Sequence, residues 1–473
     1  AACIEQAAFP DVNPADFSGL GLAPDLRENL VTLGYGTMTP IQAQSLPSIL
    51  AGQDVIAQGS TGSGKTAAFG LGLLSRIEAK RFRVQALVVC PVRELADQVA
   101  NEIRALARAI PNIKVLTLCG GTPLAPQASS LAHGVHVVVG TPGRIEDHLQ
   151  RETLQLGAVH TLILDEADRM LDMGFEDAID AIVRRVPDRR QTLLFSATYP
   201  PGIQSIARRV MHDPVMIRTR AQGDDPDIEQ HFFAVATDRE RLPALRRILL
   251  HHEPASALVF CNTIRVTREV CAALVDAGFH ALALHGDLEQ RDRDETLIRF
   301  ANKSVSILVA TDLAARGLDI DTLDAVVNYE IPHDPDVYLH RIGRTGRAGS
   351  KGQAYALYTE SDMARLALIP GEIDPLADAE PLPPRQVTDK AVGQPLFATV
   401  QIDGGRKQKL RPGDILGALT APGGITGGDV GKIHIADTQA FVAVRRAVLA
   451  AALRILADGR LKGRSFRARQ LGT

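Results

Sequence analysis

"AQGSTGSGKT", Ala57 to Thr66, follows a short apolar run and matches the pattern G-x-x-x-x-G-K-[ST]. Glycines in such a turn let successive backbone N–H groups point inward at phosphate oxygens, and the helix that follows adds partial positive charge. Gly62 and Gly64 belong to this turn, Lys65 places a charge on the terminal phosphates, and Thr66 can ligate Mg²⁺. A second stretch, "LILDEADRM" (Leu162 to Met170), ends an apolar run in two carboxylates. Asp165 is assigned to the metal, and Glu166 to orienting and deprotonating an attacking water. Alone, two such acids would read as a helix cap. With a phosphate loop upstream they read as the other half of a nucleotide site.

Around these stretches, short apolar runs alternate with helical patterns twice over. "DVIAQGS", "VQALVVCP", "KVLTLCGG", "HVVVGTP", "TLILDEAD" and "QTLLFSAT" come first, and Leu95, Val99, Ile103 and Leu106 recur at helical spacing between two of them. The pattern restarts after the polar stretch Arg220 to Gln230 with "SALVFCNT", "HALALHGD", "VSILVATD", "AVVNYEIP" and "GQAYALYT". This order predicts two α/β domains with parallel sheets, at 15–220 and 221–368. Ligands of such sheets bind beyond the carboxyl ends of the strands, where these runs stop in Gly, Ser, Thr, Asp or Pro. Residues 369–395 hold six prolines and no apolar periodicity, which reads as a linker. Residues 396–473 run βαββαβ, a small α+β domain of RNA-recognition type.

The formal charge of −3 conceals an asymmetry. Residues 396–473 carry 13 Lys and Arg against 5 Asp, a net of +8, which leaves −11 for residues 1–395. A basic tail on an acidic chain points to a polyanionic partner. The five cysteines are odd in number and lack zinc-site spacing, so they are read as reduced thiols of a cytoplasmic protein. The first fourteen residues contain no Lys or Arg and no long apolar run, so they do not read as a secretory signal. No apolar segment approaches the roughly 18 residues of a membrane span. The chain is expected to be a monomer.

"HRIGRTGR" (His340 to Arg347) spaces Arg341, Arg344 and Arg347 by three, which would set them on one side of a helical turn and in reach of a phosphate. Because this cluster lies in the second α/β domain and the phosphate loop in the first, completing an ATP site is expected to require domain closure. In order along the chain, Phe17 with "GYGTMTPIQ", "AQGSTGSGKT", "PVRELADQ", "CGG", "TPGR", "DEAD", "SAT", "LVFCNT", "ATDLAARGLD" and "HRIGRTGR" resemble the motif series of DEAD-box RNA helicases. The resemblance covers roughly residues 15–368 and implies two tandem RecA-like domains that use ATP and Mg²⁺. It further implies that Phe17 stacks on adenine, Gln42 hydrogen-bonds its edge, Asp319 contacts the ribose, and Arg344 and Arg347 act as arginine fingers. Ser196, Thr198 and His340 then couple hydrolysis to RNA. Pro91, Arg93, Gly121, Thr141, Arg144, Arg293 and Thr311 fall in motifs that hold the RNA backbone without reading sequence. One departure is Val92, where the family usually has Thr.

The tail resembles that of the DbpA subgroup, which recognises a hairpin of large-subunit ribosomal RNA. Its strands offer Phe441 amid Val and Ala rather than stacking aromatics, so the RNA contacts are placed on Arg406, Lys407, Lys409 and Arg411. Lys432, Arg445, Arg446, Lys462 and Arg464 are further candidates. The resemblance implies an RNA-stimulated ATPase that unwinds short duplexes on pre-ribosomal particles during large-subunit assembly. An ATP-gated RNA clamp that never releases a strand is the alternative.

Overall fold

Strands buried on both faces of a parallel sheet need continuous apolar runs, and those identified above supply them. A computed structural model describes residues 16–59, 62–219, 228–315, 323–346, 351–369 and 379–472. The first sheet contains β1 (Val55–Gln58), β2 (Ala86–Val89), β3 (Val115–Leu118), β4 (Val137–Gly140), β5 (Thr161–Leu164), β6 (Gln191–Ser196) and β7 (Val215–Arg218). All pairings are parallel, in the order β3-β4-β2-β5-β6-β1-β7. Alternate residues serve opposite layers. Val55 and Ala57 join one apolar core with Val88, Ile163 and Leu193, while Ile56 joins the other with Leu87, Leu162 and Leu194.

The second sheet repeats this plan. β8 (Ile228–Ala234), β9 (Ala257–Cys261), β10 (Ala281–Leu284), β11 (Ile307–Thr311), β12 (Ala325–Asn328), β13 (Gly352–Tyr358) and β14 (Ala379–Glu380) are ordered β10-β11-β9-β12-β13-β8-β14, again all parallel. Three strands escaped the sequence pattern. β7 and β14 are short edge strands with exposed residues, and β8 opens inside the stretch taken as polar. What places β8 is non-local: its seven residues all pair with β13. The stretch taken as linker is also partly anchored. Leu382 and Val387 pack against the second sheet's core, and Arg247 donates to the carbonyls of Leu382 and Pro383.

The tail forms an antiparallel sheet ordered β16-β17-β15-β18 from β15 (Phe397–Ile402), β16 (Val430–Ile435), β17 (Ala440–Arg445) and β18 (Ala468–Gln470). Helices Pro412–Leu419 and Leu449–Asp458 interleave with these strands in the expected order. Val400, Ile402, Val442 and Val444 form its core with Ile415, Ala452 and Leu456 of the helices. Among the described residues, no helix is long and apolar enough to cross a membrane, Cys90, Cys119, Cys261 and Cys271 are free thiols, and no group of His, Cys, Asp and Glu could hold a metal ion by itself. One compact unit contains the first sheet, and another the second sheet with the tail.

Candidate nucleotide site and nucleic-acid interface

In the first sheet β5, β6 and β1 are neighbours, so the turns leaving their carboxyl ends converge. From β1, Gly64 adopts φ +88° and opens helix Lys65–Leu74. A Cβ on Gly64 would lie 2.4 Å from Gln42 Nε2, so the turn needs glycine on both counts. Gln42 accepts from Thr39 N (2.9 Å) and donates to Gly64 O (3.1 Å), which fastens the helix Pro40–Leu50 to the phosphate loop. Lys65 is buried and donates to Gly59 O at 3.0 Å. Thr66 follows it, half-buried. Phe17 is buried, edge-on to Tyr35 with ring centroids 6.3 Å apart.

From β5 come Asp165 and Glu166, 3% and 5% exposed. Burial pushes the Asp165 carboxyl up to about 7, with Lys65 pulling the other way. A carboxylate that the protein alone keeps so poorly compensated is suited to a dication, and Asp165 with Thr66 therefore fits Mg²⁺. Glu166 takes a left-handed φ of +50° ahead of helix Ala167–Asp172, a conformation uncommon for a residue with a side chain. Its Oε2 accepts from Arg169 Nη1 at 2.9 Å, in an ion pair buried on both sides.

Two residues with no assigned role in the sequence reading organise this edge: Arg169, and Asp168, the last letter of "DEAD". Asp168 accepts from Ala197 N (3.1 Å), Thr198 N (2.9 Å) and Thr198 Oγ1 (3.0 Å), and its own N–H donates to Ser196 Oγ at 3.3 Å. Burial alone would raise its pKa, but the hydrogen bonds from Thr198 and the charge of Lys65 hold it below the usual value. Ser196 and Thr198, which leave β6, are thereby tied to the turn that carries Glu166. The available signal was the apolar strand ending in four polar or small residues, of which only the first two had been given roles.

The same edge continues across β2, β4 and β3. Pro91 and Arg93 follow β2, with Val92 as the N-cap of helix Arg93–Leu106 and no side-chain cap bond. Arg93 lies 3.6 Å from Asp97. Gly121, at φ +73°, follows β3, and Thr141 follows β4 as the N-cap of helix Pro142–Gln150. Arg144 on that helix donates to Thr122 O (2.9 Å) and Gln127 Oε1 (2.7 Å). The residues assigned to RNA thus occupy one half of the edge and those assigned to nucleotide the other.

In the second sheet, Thr311 ends β11, and Arg293 on helix Gln290–Ala301 donates to Ala314 O at 3.0 Å. Of the arginines of "HRIGRTGR", Arg341 and Arg344 do not share a helical face. Helix Pro335–Ile342 carries His340 and ends after Arg341, and Arg344 lies beyond it, buried. Arg341 is turned inward. It binds both oxygens of Asp312 (2.6 and 2.7 Å), Asn328 Oδ1 (3.0 Å), Glu330 O (2.7 Å) and Asn262 Oδ1 (2.7 Å), and lies over the Phe260 ring. It is therefore a strut between strand ends rather than a phosphate ligand. Asp319 and Arg347 lie outside the described residues.

On the tail, Arg406, Lys407, Lys409 and Arg411 are all exposed, while Leu410 is buried in the core and anchors the loop. Backbone bonds from Arg406 N to Ala436 O and from Lys407 N to Asp437 O, both 2.9 Å, fix the turn, and Lys409 adopts φ +62°. Lys462 joins this surface through Lys409 O (2.7 Å) and Asp414 (3.2 Å). The centre of the sheet face that bears Phe441 is itself covered. Thr399, Gln401, Phe441 and Ala443 share that face and are 5% exposed or less. Thr399 Oγ1 meets Ser304 Oγ at 2.7 Å and Asn302 Nδ2 at 3.3 Å, so this face is docked on the second α/β domain.

Comparison with known proteins agrees with this geometry. Residues 39–206 match the DEAD/DEAH box helicase family, residues 240–349 the helicase conserved C-terminal domain, and residues 399–470 the DbpA RNA binding domain. The chain is 52% identical to the ATP-dependent RNA helicase DbpA of Escherichia coli over 96% of its length and 99% of that protein. It is 45% identical to the DEAD-box ATP-dependent RNA helicase CshA of Geobacillus kaustophilus over 74% of this chain and 75% of that one. The structure of Saccharomyces cerevisiae Dbp5 bound to RNA and ADP BeF3 matches with a TM-score of 0.69 at 29% identity, covering 76% of this chain and 94% of that one. Two parallel sheets bearing these motifs, followed by a DbpA-type RNA-binding domain, make this chain a member of the DEAD-box ATP-dependent RNA helicases, of the DbpA type.

Proposed function

We propose that this helicase is directed by its tail to a hairpin of large-subunit ribosomal RNA and acts there, on pre-ribosomal particles in the cytoplasm, during assembly of the large subunit. The observation that carries the reading is the division of labour on the tail: the two central strands of its sheet face are buried at Thr399, Gln401, Phe441 and Ala443, and its exposed loop presents Arg406, Lys407, Lys409 and Arg411. A rigid basic loop suits a folded RNA with a defined phosphate geometry better than a run of splayed bases.

In turnover, Glu166 accepts the proton of the attacking water, and Lys65 with Arg344 and Arg347 balances charge on the transferring phosphoryl group. Asp165 and Thr66 would hold Mg²⁺, which when bound would neutralise phosphate charge. Phe17, Gln42 and Asp319 fix the base and ribose. Pro91, Arg93, Gly121, Thr141, Arg144, Arg293 and Thr311 grip the RNA backbone, and Ser196, Thr198 and His340 transmit the state of the nucleotide to it. The relatives that carry this motif set are named helicases, which favours strand release over a clamp.

The test is strand displacement from a short duplex joined to the ribosomal hairpin, against the same duplex joined to a scrambled hairpin. Release dependent on ATP and on the ribosomal hairpin is expected. Equal release from both substrates would overturn the targeting, and ATP turnover without release would restore the clamp.

A further inference from the structure

Arg169 has no role assigned above, yet it is 5% exposed and, among the described residues, its charge partner is the carboxylate of Glu166. Burying an arginine requires compensation, and here it comes from a residue whose own backbone is held in the left-handed region. The pair spans one helical turn, from the residue before helix Ala167–Asp172 to its third residue. That helix is in turn clamped to the end of β6 by Asp168. The position of the Glu166 carboxylate is thus fixed from two sides, by a backbone that the Asp168 bonds brace and by a cation on Oε2.

We propose that Arg169 is a positioning residue for hydrolysis: it engages Glu166 Oε2 and so leaves Oε1 turned toward the attacking water. This rests on Glu166 being the residue that takes the proton. In that step the water oxygen bonds to the γ-phosphorus while its proton passes to Oε1. The bond from phosphorus to the bridging β–γ oxygen breaks, and ADP keeps the electron pair. A carboxylate swung away by even an ångström would still bind nothing differently in the ground state, so the loss falls on the chemical step.

The experiment compares Arg169→Met and Arg169→Lys with the full-length parent and with Glu166→Gln, by RNA-stimulated ATPase kinetics and by RNA affinity with a non-hydrolysable ATP analogue. Arg169→Met is expected to lower kcat by roughly 10- to 100-fold. KM for ATP and the RNA affinity are expected to stay within about threefold of the parent, and Arg169→Lys to recover much of the loss. Combined with Glu166→Gln, Arg169→Met should cost little more, because both act on one step. A parental kcat in Arg169→Met, or losses of kcat, KM and RNA affinity in parallel without rescue by Lys, would overturn the proposal while leaving an inactive Glu166→Gln in place. A parental rate in Glu166→Gln would instead remove the assignment on which it rests. If Arg169→Met does not fold, Arg169→Gln carries the same comparison.

Discussion

The two parallel sheets share a plan, yet the charges at their carboxyl ends are treated in opposite ways. In the second sheet, Arg341 is enclosed by Asp312, Asn262, Asn328 and Glu330, so every face of the guanidinium is answered by the protein itself. In the first, Asp165 is just as deeply buried, but its principal counter-charge is Lys65, which also donates to Gly59 O, and its pKa is driven up to about 7. A buried charge that is already satisfied braces a fold, and one left short of compensation is fitted to receive a ligand. Sequence spacing alone could not separate the two cases, because both are charged residues within motifs that read as parts of a nucleotide site.

This contrast can be broken most forcefully at Glu166. Glu166→Gln keeps the shape and the bond-accepting oxygen but removes the carboxylate proposed as base, so RNA-stimulated kcat should fall by about 10²- to 10⁴-fold, measured as phosphate release. Stability should fall by less than in the Arg341 variant below, because the Gln oxygen still accepts from Arg169 although the counter-charge is lost.

Arg341→Met should do the reverse. It strands Asp312 and the acceptors around it, at a cost of about 3–5 kcal/mol in unfolding free energy measured by denaturant titration. If the variant folded with parental stability and lost only ATP turnover, Arg341 would be a phosphate ligand and the contrast would fail.

Asp165→Asn sharpens the comparison through pH. The native carboxyl has a folded-state pKa raised from 3.8 to about 7, so the folded state binds a proton that the unfolded chain has released across that interval. Its unfavourable contribution to nucleotide-free stability is therefore absent below about pH 4, grows as pH rises, and is complete above pH 7. Relative to the parent, the Asn variant should gain melting temperature progressively from pH 4 to 7 and then level off.

The smallest effect is expected at the departure from the family pattern. Val92 is buried in the first core and caps helix Arg93–Leu106 without a side-chain bond. Val92→Thr adds a capping oxygen and removes a methyl from the core, two terms of about 1 kcal/mol and opposite sign. Melting temperature and ATPase rate should both stay near parental values.

Much of this architecture could be read from pattern because its decisive elements are local. The phosphate loop, the acids after β5 and the βαββαβ order of the tail each lie within a few consecutive residues. What escaped was non-local. β8 is recognisable through its pairing with β13 and β14, and the inward turn of Arg341 depends on acceptors from three strand ends. Arg169 stood in the quoted motif, but its meaning depends on the left-handed backbone of Glu166, which no spacing rule anticipates. The scarcity of aromatics on the tail's strands moved the expected RNA contacts to the basic loop, but that the centre of the sheet face is covered depends on Asn302 and Ser304, about a hundred positions away.

The most direct test of the central claim is the ATPase rate of the full chain with a ribosomal large-subunit hairpin, a scrambled hairpin and a homopolymer. Each is measured for the parent and for a variant with Arg406, Lys407, Lys409 and Arg411 replaced by Glu. Strong stimulation by the ribosomal hairpin in the parent, reduced to the level of the other RNAs in the variant, is the expected result. Equal stimulation by all three RNAs in both proteins would contradict the account, leaving a helicase whose tail does not choose its RNA.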